Sequence, residues 1–138
     1  MDFALTEEQR MLQQSIEGFL ETNCPLDAVR IAASSGTTRV TEIMSGLSEL
    51  GVPGIIIPEE YGGVELGFLE AALISEALGA VAAPVPFVAT SVMAPLAILK
   101  GGNDSQKEKY LPQLASGDMS IGVGVTEQIG RRDSEGIQ

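Results

Sequence analysis

The hydrophobic period of this 138-residue chain changes once, at Gly117-Asp118, and that change bounds what the chain can fold into. Before it, apolar residues recur at helical spacing. After it, Ile121, Val123 and Val125 alternate with Ser120, Gly122, Gly124 and Thr126, the period of a strand with one apolar face. The expected fold is mainly α: five helices in residues 1–117, then a single β-strand opening a new domain in residues 118–138. A strand without a neighbour leaves its N–H and C=O groups to be paired by another chain segment or by water. Residues 118–138 therefore read as the start of something continued elsewhere.

The helices have recognisable ends. Thr6-Glu7-Glu8-Gln9 is a capping box, and Leu12, Ile16, Phe19 and Leu20 follow it as one apolar stripe that ends near Asn23, before Pro25. Residues 33–37 read as a loop. Val40, Ile43, Met44, Leu47 and Leu50 mark a second amphipathic helix closed by Gly51. Residues 51–67, with Pro53, Gly54, Pro58, Gly62, Gly63 and Gly67 around Ile55-Ile56-Ile57, read as an ordered loop. Residues 68–79 are apolar nearly all round the helical wheel, the pattern of a buried helix. Pro84-Val85-Pro86 turns the chain into a fourth helix ending at Lys100-Gly101-Gly102. Ser105-Gln106-Lys107-Glu108 is a second capping box, and Pro112 is expected to kink or end the helix that follows.

Composition then removes whole classes of function. Eight basic against nineteen acidic residues give a net charge of −11, with no basic run beyond Arg131-Arg132, which argues against nucleic acid. Histidine is absent and Cys24 is the sole cysteine, so zinc chemistry, a histidine-activated nucleophile and an internal disulfide are excluded on one chain. Met1-Asp2 and the amphipathic pattern after it do not resemble a signal peptide, which makes the cytoplasm the default compartment. Residues 77–99 carry no charge and are long enough to cross a bilayer, but Pro84 and Pro86 break that stretch. A pair of buried helices is the favoured reading, with a membrane-associated helical protein as the alternative.

Three strings, in order, resemble the acyl-CoA dehydrogenases: Leu5-Thr6-Glu7-Glu8-Gln9, Pro58-Glu59-Glu60-Tyr61-Gly62-Gly63, and Lys109-Tyr110-Leu111-Pro112-Gln113-Leu114-Ala115-Ser116-Gly117 leading to Val125-Thr126-Glu127. The resemblance implies a helical N-terminal domain, a middle β-domain and a C-terminal helical domain that bind FAD between them and between subunits. It implies oxidation of an acyl-CoA to a trans-2-enoyl-CoA, an oligomer, and an electron-transfer partner. The family's catalytic glutamate lies in the C-terminal domain, so no catalytic residue is expected in these residues and the chain alone is expected to be inactive.

The resemblance also assigns roles. Val125 and Thr126 match the valine and threonine that meet the flavin ring, and Val123 shares their strand; an ordinary strand-end threonine is the other reading of Thr126. Residues 87–99 match the helix bordering the acyl pocket, where Ala89 and Met93, four apart, are candidate lining residues, against plain helix packing. Glu59, Glu60 and Glu127 read more simply as solvated or capping acids than as bases. Where the family continues with proline and a Gly-Ser-Asp turn, this chain has Gln128-Ile129-Gly130-Arg131-Arg132-Asp133, without the small residues that close backbone approach to a cofactor requires. The glycines around Tyr61 follow neither phosphate-loop pattern and are expected to serve turns. An alternative to the enzyme reading is a non-catalytic interaction subunit that packs against a longer homologue.

Overall fold

Thr6 begins the first helix as its sequence dictates: its Oγ1 accepts from the Gln9 N–H at 3.2 Å, and its own N–H donates to Gln9 Oε1 at 3.0 Å. A computed structural model describes residues 4–35 and 39–124. Among them are six α-helices: α1 (Glu7–Asn23), α2 (Leu26–Ser35), α3 (Arg39–Glu49), α4 (Phe68–Ala80), α5 (Ala94–Gly101) and α6 (Asp104–Ser116).

The expected count of five omitted α2. Residues 33–35, read as loop, are its last turn, and Pro25, read only as a stop, is also a start. The Pro25 carbonyl accepts from Ala28 N at 2.8 Å and Val29 N at 3.2 Å, and proline's fixed φ suits the entrance of a helix, where its missing N–H costs nothing. The cap of α6 also lies two residues earlier than expected. Asn103 Oδ1 accepts from Gln106 N, and Gln106 Oε1 accepts from Asn103 N, both at 2.9 Å. Pro112 sits inside α6 without ending it. Its ring faces outward, while Leu111, Leu114 and Ala115 are buried and hold the following turn in place.

The apolar stripe of α1 is buried as expected, with Ile16 and Leu20 inside the main core alongside Leu47 of α3 and Ala71, Ile74 and Leu78 of α4. A smaller core gathers Ile57, Leu111, Leu114 and Ala115, with Tyr61, Ile98 and Ile121 against it. The loop 51–67 joins the two, because Ile55 belongs to the first and Ile57 to the second. Its return leg is fixed by backbone bonds from Val64 N to Gly54 O, Glu65 N to Ile57 O and Leu66 N to Ile55 O, at 2.8 to 2.9 Å. The helix expected to be buried throughout is only partly so, since Phe68 and Leu69 at the start of α4 are exposed.

α1 and α4 share one carboxylate at their entrances. Glu70 accepts from Gly67 N at 2.9 Å, capping its own helix, and from Gln9 Nε2 at 2.8 Å, reaching the cap of α1. The Gln9 bond is the main reason the Glu70 carboxyl is held below the usual carboxylate range. A depressed folded-state pKa contributes stability that is present above the unfolded pKa and is lost as pH falls through the folded pKa. Glu70→Gln is therefore expected to narrow the gap to wild type as the solution is acidified through the carboxylate range. The difference near neutrality should be under about 1 kcal/mol, because the site is largely open to solvent. Urea titrations of both proteins at several pH values check this, and a gap that widens on acidification would contradict the assignment.

Residues 118–124 keep the predicted alternation but not the predicted strand. Met119, Ile121 and Val123 are half-buried while Ser120, Gly122 and Gly124 are exposed. No partner strand exists among the described residues, so there is no ladder to make them a sheet.

Candidate functional site

The fourth predicted helix is built in two parts because of Pro95. A proline ring crowds the carbonyl four residues earlier, here that of Ser91, and a wider turn just before it relieves the crowding. Residues Val88–Met93 form a π-helical turn, and α5 then begins at Ala94. Thr90 and Ser91 are buried beneath it, and Thr90 Oγ1 donates to Pro86 O at 2.8 Å. Hydrogen bonds running five residues apart place Val88 and Met93 together on the outside, where they are 50% and 38% exposed.

Beside this turn, against the end of α4, lies an open cavity of about 310 Å³ lined mainly by apolar residues. Ser75, Leu78 and Gly79 of α4 form one wall, Ala82, Ala83, Val85 and Pro86 the floor, and Phe87, Val88 and Ala89 the other wall. Gly79, Ala82, Ala83 and Ala89 contribute no bulk to it, while Leu78, Val85 and Phe87 supply its larger apolar side chains. Ala82 turns the chain with φ of 50°, a left-handed conformation that alanine adopts only under constraint. Its N–H is held by Gly79 O at 3.1 Å and that of Ala83 by Leu78 O at 2.9 Å.

Of the two candidate lining residues, Ala89 borders this cavity and Met93 lies outside it, 38% exposed. The α-helical spacing used to pair them does not apply in a π turn. Ser75, Leu78 and Gly79 of α4 border the same cavity, a neighbourhood set by tertiary packing that sequence spacing does not report. Val123 is half-buried on the extended segment, whereas Val125 and Thr126, with Glu127, Arg131 and Arg132, lie outside the described residues.

A second, polar cavity of about 320 Å³ lies between α3 and the exit of α6. Hydroxyls of Thr41, Ser45, Ser48, Ser116 and Ser120 surround it together with Asp118, and Pro86 belongs to its wall as well as to that of the apolar cavity. Ser116 Oγ donates to Asp118 Oδ2 at 2.7 Å. With a carboxylate and no Lys or Arg in its lining, this cavity does not suit the diphosphate of FAD. The glycine loop does not suit it either. Gly62 takes a left-handed φ of 81° to close a turn, and Gly63 lies so close to the Ile57 carbonyl that no phosphate fits between them.

Glu59 and Glu60 are exposed at the short turn Glu59–Tyr61. The Tyr61 hydroxyl is pushed up by local desolvation and then by the negative charge of Glu60, Asp104 and Glu108. No cluster of His, Cys, Asp or Glu able to hold a metal ion occurs among the described residues. Among them, no helix is long and apolar enough to cross a membrane; the uncharged stretch 77–99 is split by the turn after Ala80.

The family model of the acyl-CoA dehydrogenase N-terminal domain matches residues 6–118. The chain is 38% identical over 125 residues to a mitochondrial isovaleryl-CoA dehydrogenase of Bos taurus, covering 89% of this chain and 29% of that protein. It resembles an acyl-CoA dehydrogenase complexed with FAD from Bacillus anthracis, with a TM-score of 0.72 at 27% identity, covering 92% of this chain and 22% of that one. It also resembles the ChsE4-ChsE5 complex from Mycobacterium tuberculosis, with a TM-score of 0.74 at 27% identity and coverage of 91% and 32%. The chain thus spans less than a third of each of these relatives. Because the match takes in α1 through α6 together with the loop that joins the two cores, the chain belongs to the acyl-CoA dehydrogenase family through its N-terminal domain.

Proposed function

We propose that this chain supplies a wall of the acyl pocket in an FAD-dependent acyl-CoA dehydrogenase that converts an acyl-CoA to a trans-2-enoyl-CoA. The observation that carries the reading is the apolar cavity between α4 and the π-helical turn, with Ala89 in its lining. A cavity of this size, lined by Leu78, Val85, Phe87, Val88 and three alanines with Ser75 as its one hydroxyl, suits an aliphatic chain. What these residues contribute is binding, orientation and exclusion of water. Abstracting a proton beside a thioester also needs a base and carbonyl donors held in register, and the family resemblance puts the base in another domain. The flavin contact is proposed for Val125, Thr126 and Val123, and an electron-accepting protein is the expected partner.

Alone, the chain is expected to retain no flavin band after desalting with added FAD and to reduce no electron-accepting dye with acyl-CoA. Incubated with an acyl-CoA carrying a photoreactive group in its acyl chain, it is expected to be labelled between residues 75 and 89. Labelling confined to other segments would sink the acyl-wall reading. Flavin-dependent turnover by the chain alone would show that the catalytic machinery had been misplaced.

A second reading, an interaction subunit packed against a longer homologue, is favoured by one observation. Val64, Leu66, Phe68 and Leu69 are 40% to 61% exposed in one short segment. Assembly as a homo- or hetero-oligomer would cover such residues. Under this reading the chain co-purifies with the homologue and the photoreactive acyl-CoA labels only the longer subunit.

A further inference from the structure

Arg131-Arg132 has no part in the acyl reading, and the polar cavity has the chemistry to receive it. Asp118 lies in the lining and pairs with no basic side chain among the described residues. Its Oδ2 accepts from Ser116 Oγ at 2.7 Å, which leaves Oδ1 without a donor there. Through Ser116 and Gly117 the cavity also opens on the C-terminal end of α6. The last turn of that helix holds no basic residue to offset the negative end of its dipole. Thr41, Ser45 and Ser120 add hydroxyl oxygens that make no side-chain hydrogen bond to the described residues. A carboxylate, a helix C-terminus and hydroxyl acceptors together suit a guanidinium, whose five N–H donors need acceptors on several sides. Met44 and Pro86 offer apolar surface to the methylene stem of such a side chain.

We infer that the segment carrying Arg131-Arg132 folds back onto the helical domain and seats the Arg132 guanidinium on Asp118. The chain is long enough. Gly124 is six residues beyond Asp118 and at most about 22 Å from it, whereas the eight residues from Gly124 to Arg132 can span about 26 Å. Gly124 and Gly130 supply the backbone freedom that a reversal needs. Alternation of side chains along an extended segment selects Arg132 over its neighbour. Arg131 would share a face with Asp133 and Glu135, which offset its charge, while Arg132 would stand with Gly130 and Ser134. Docked in this way, the segment covers the polar cavity and closes residues 125–131 into a loop tied down at both ends. The apolar cavity takes no part, so this contact stands or falls separately from the acyl reading.

Paramagnetic relaxation in the 138-residue chain tests the contact. A nitroxide is attached at Gln138→Cys, six residues past Arg132, with the buried Cys24 of the unsubstituted chain as the labelling control. The label is expected to broaden the amide signals of Thr41 and Ser45. Asp118→Asn and Arg132→Gln should each reduce that broadening by roughly two- to fivefold, the worth of one largely exposed ion pair, and Arg131→Gln should leave it in place. Exchanging the charges, with Asp118→Arg and Arg132→Asp together, should restore it. Mixing nitroxide-labelled chains with isotope-labelled chains that lack the nitroxide reads contact between copies, and no broadening is expected there. Broadening in that mixture would assign the contact to a second copy and overturn the inference. So would an absence of broadening at Thr41 and Ser45, broadening that ignores Asp118→Asn, or an equal loss from Arg131→Gln.

Discussion

Gly63→Ala is expected to lower the stability of the chain by about 3 kcal/mol and its melting temperature by roughly 10 °C. A methyl group at position 63 would fall on the carbonyl of Ile57, with the Ile57 carbonyl carbon and Cβ also within contact. That is backbone against backbone, so no rotamer change relieves it. The Ile57 carbonyl already accepts from Glu65 N at 2.9 Å, and moving it breaks the return leg of the loop. It also pulls on Ile57, which is fully buried in the smaller core. Gly62→Ala makes the instructive comparison, because nothing lies within contact of an added methyl there and the cost is only that of its left-handed backbone. Thermal denaturation followed by circular dichroism reads both. Equal losses in the two variants would contradict the steric account.

Leu114→Ala should cost about 3 kcal/mol, the usual range for emptying a leucine from a core that cannot collapse around the space. Leu114 is 1% exposed and sits with Leu111, Ala115 and Ile57. Ala115 already contributes a short side chain and Gly54 lies directly against it, so little is available to fill the gap. Phe68→Ala removes more apolar surface from a residue that is 61% exposed, and its effect on the isolated chain should stay within about 0.5 kcal/mol. Urea unfolding of both variants tests this. A Phe68 variant as damaged as the Leu114 variant would mean that the start of α4 is covered in the isolated chain.

The parts of this fold that follow from local chemistry could be read in the sequence. The α1 cap needs only Thr6 and Gln9, three residues apart, and the burial of Ile16 and Leu20 needs only their spacing. The helical domain as a whole was legible for the same reason. What escaped depends on partners far along the chain or on two rules competing for one residue. Pro25 ends α1 and starts α2, and a reading that allowed it one role lost a helix. Asn103 and Ser105 each begin a plausible capping pattern, and the first wins.

The candidate site shows the same division. The helical character of residues 87–99 is readable from their spacing, and Ala89 borders a cavity there. The π turn follows from Pro95 acting on Ser91 four residues before it, a competition between two residues that helical spacing alone does not report. The α4 wall comes from tertiary packing, which no periodicity reports. The strand is a further case: the alternation of Met119, Ile121 and Val123 is real, but a strand is a property of two segments, and the described residues supply one.

The carboxylate shared by Gln9 and Gly67 bears on the order in which the molecule can be made. α1 leaves a ribosome before α4 does, and the acceptor that ties its entrance to α4 lies 61 residues further on. Its apolar stripe likewise rests on α4, including Ile74 and Leu78. Until α4 has emerged, α1 has its own cap and the α3 side of its stripe, through Ile43 and Leu47, but lacks the α4 side. The face of α1 that meets α4 therefore stays open to other contacts while the intervening residues are synthesised, and it is covered only when α4 arrives.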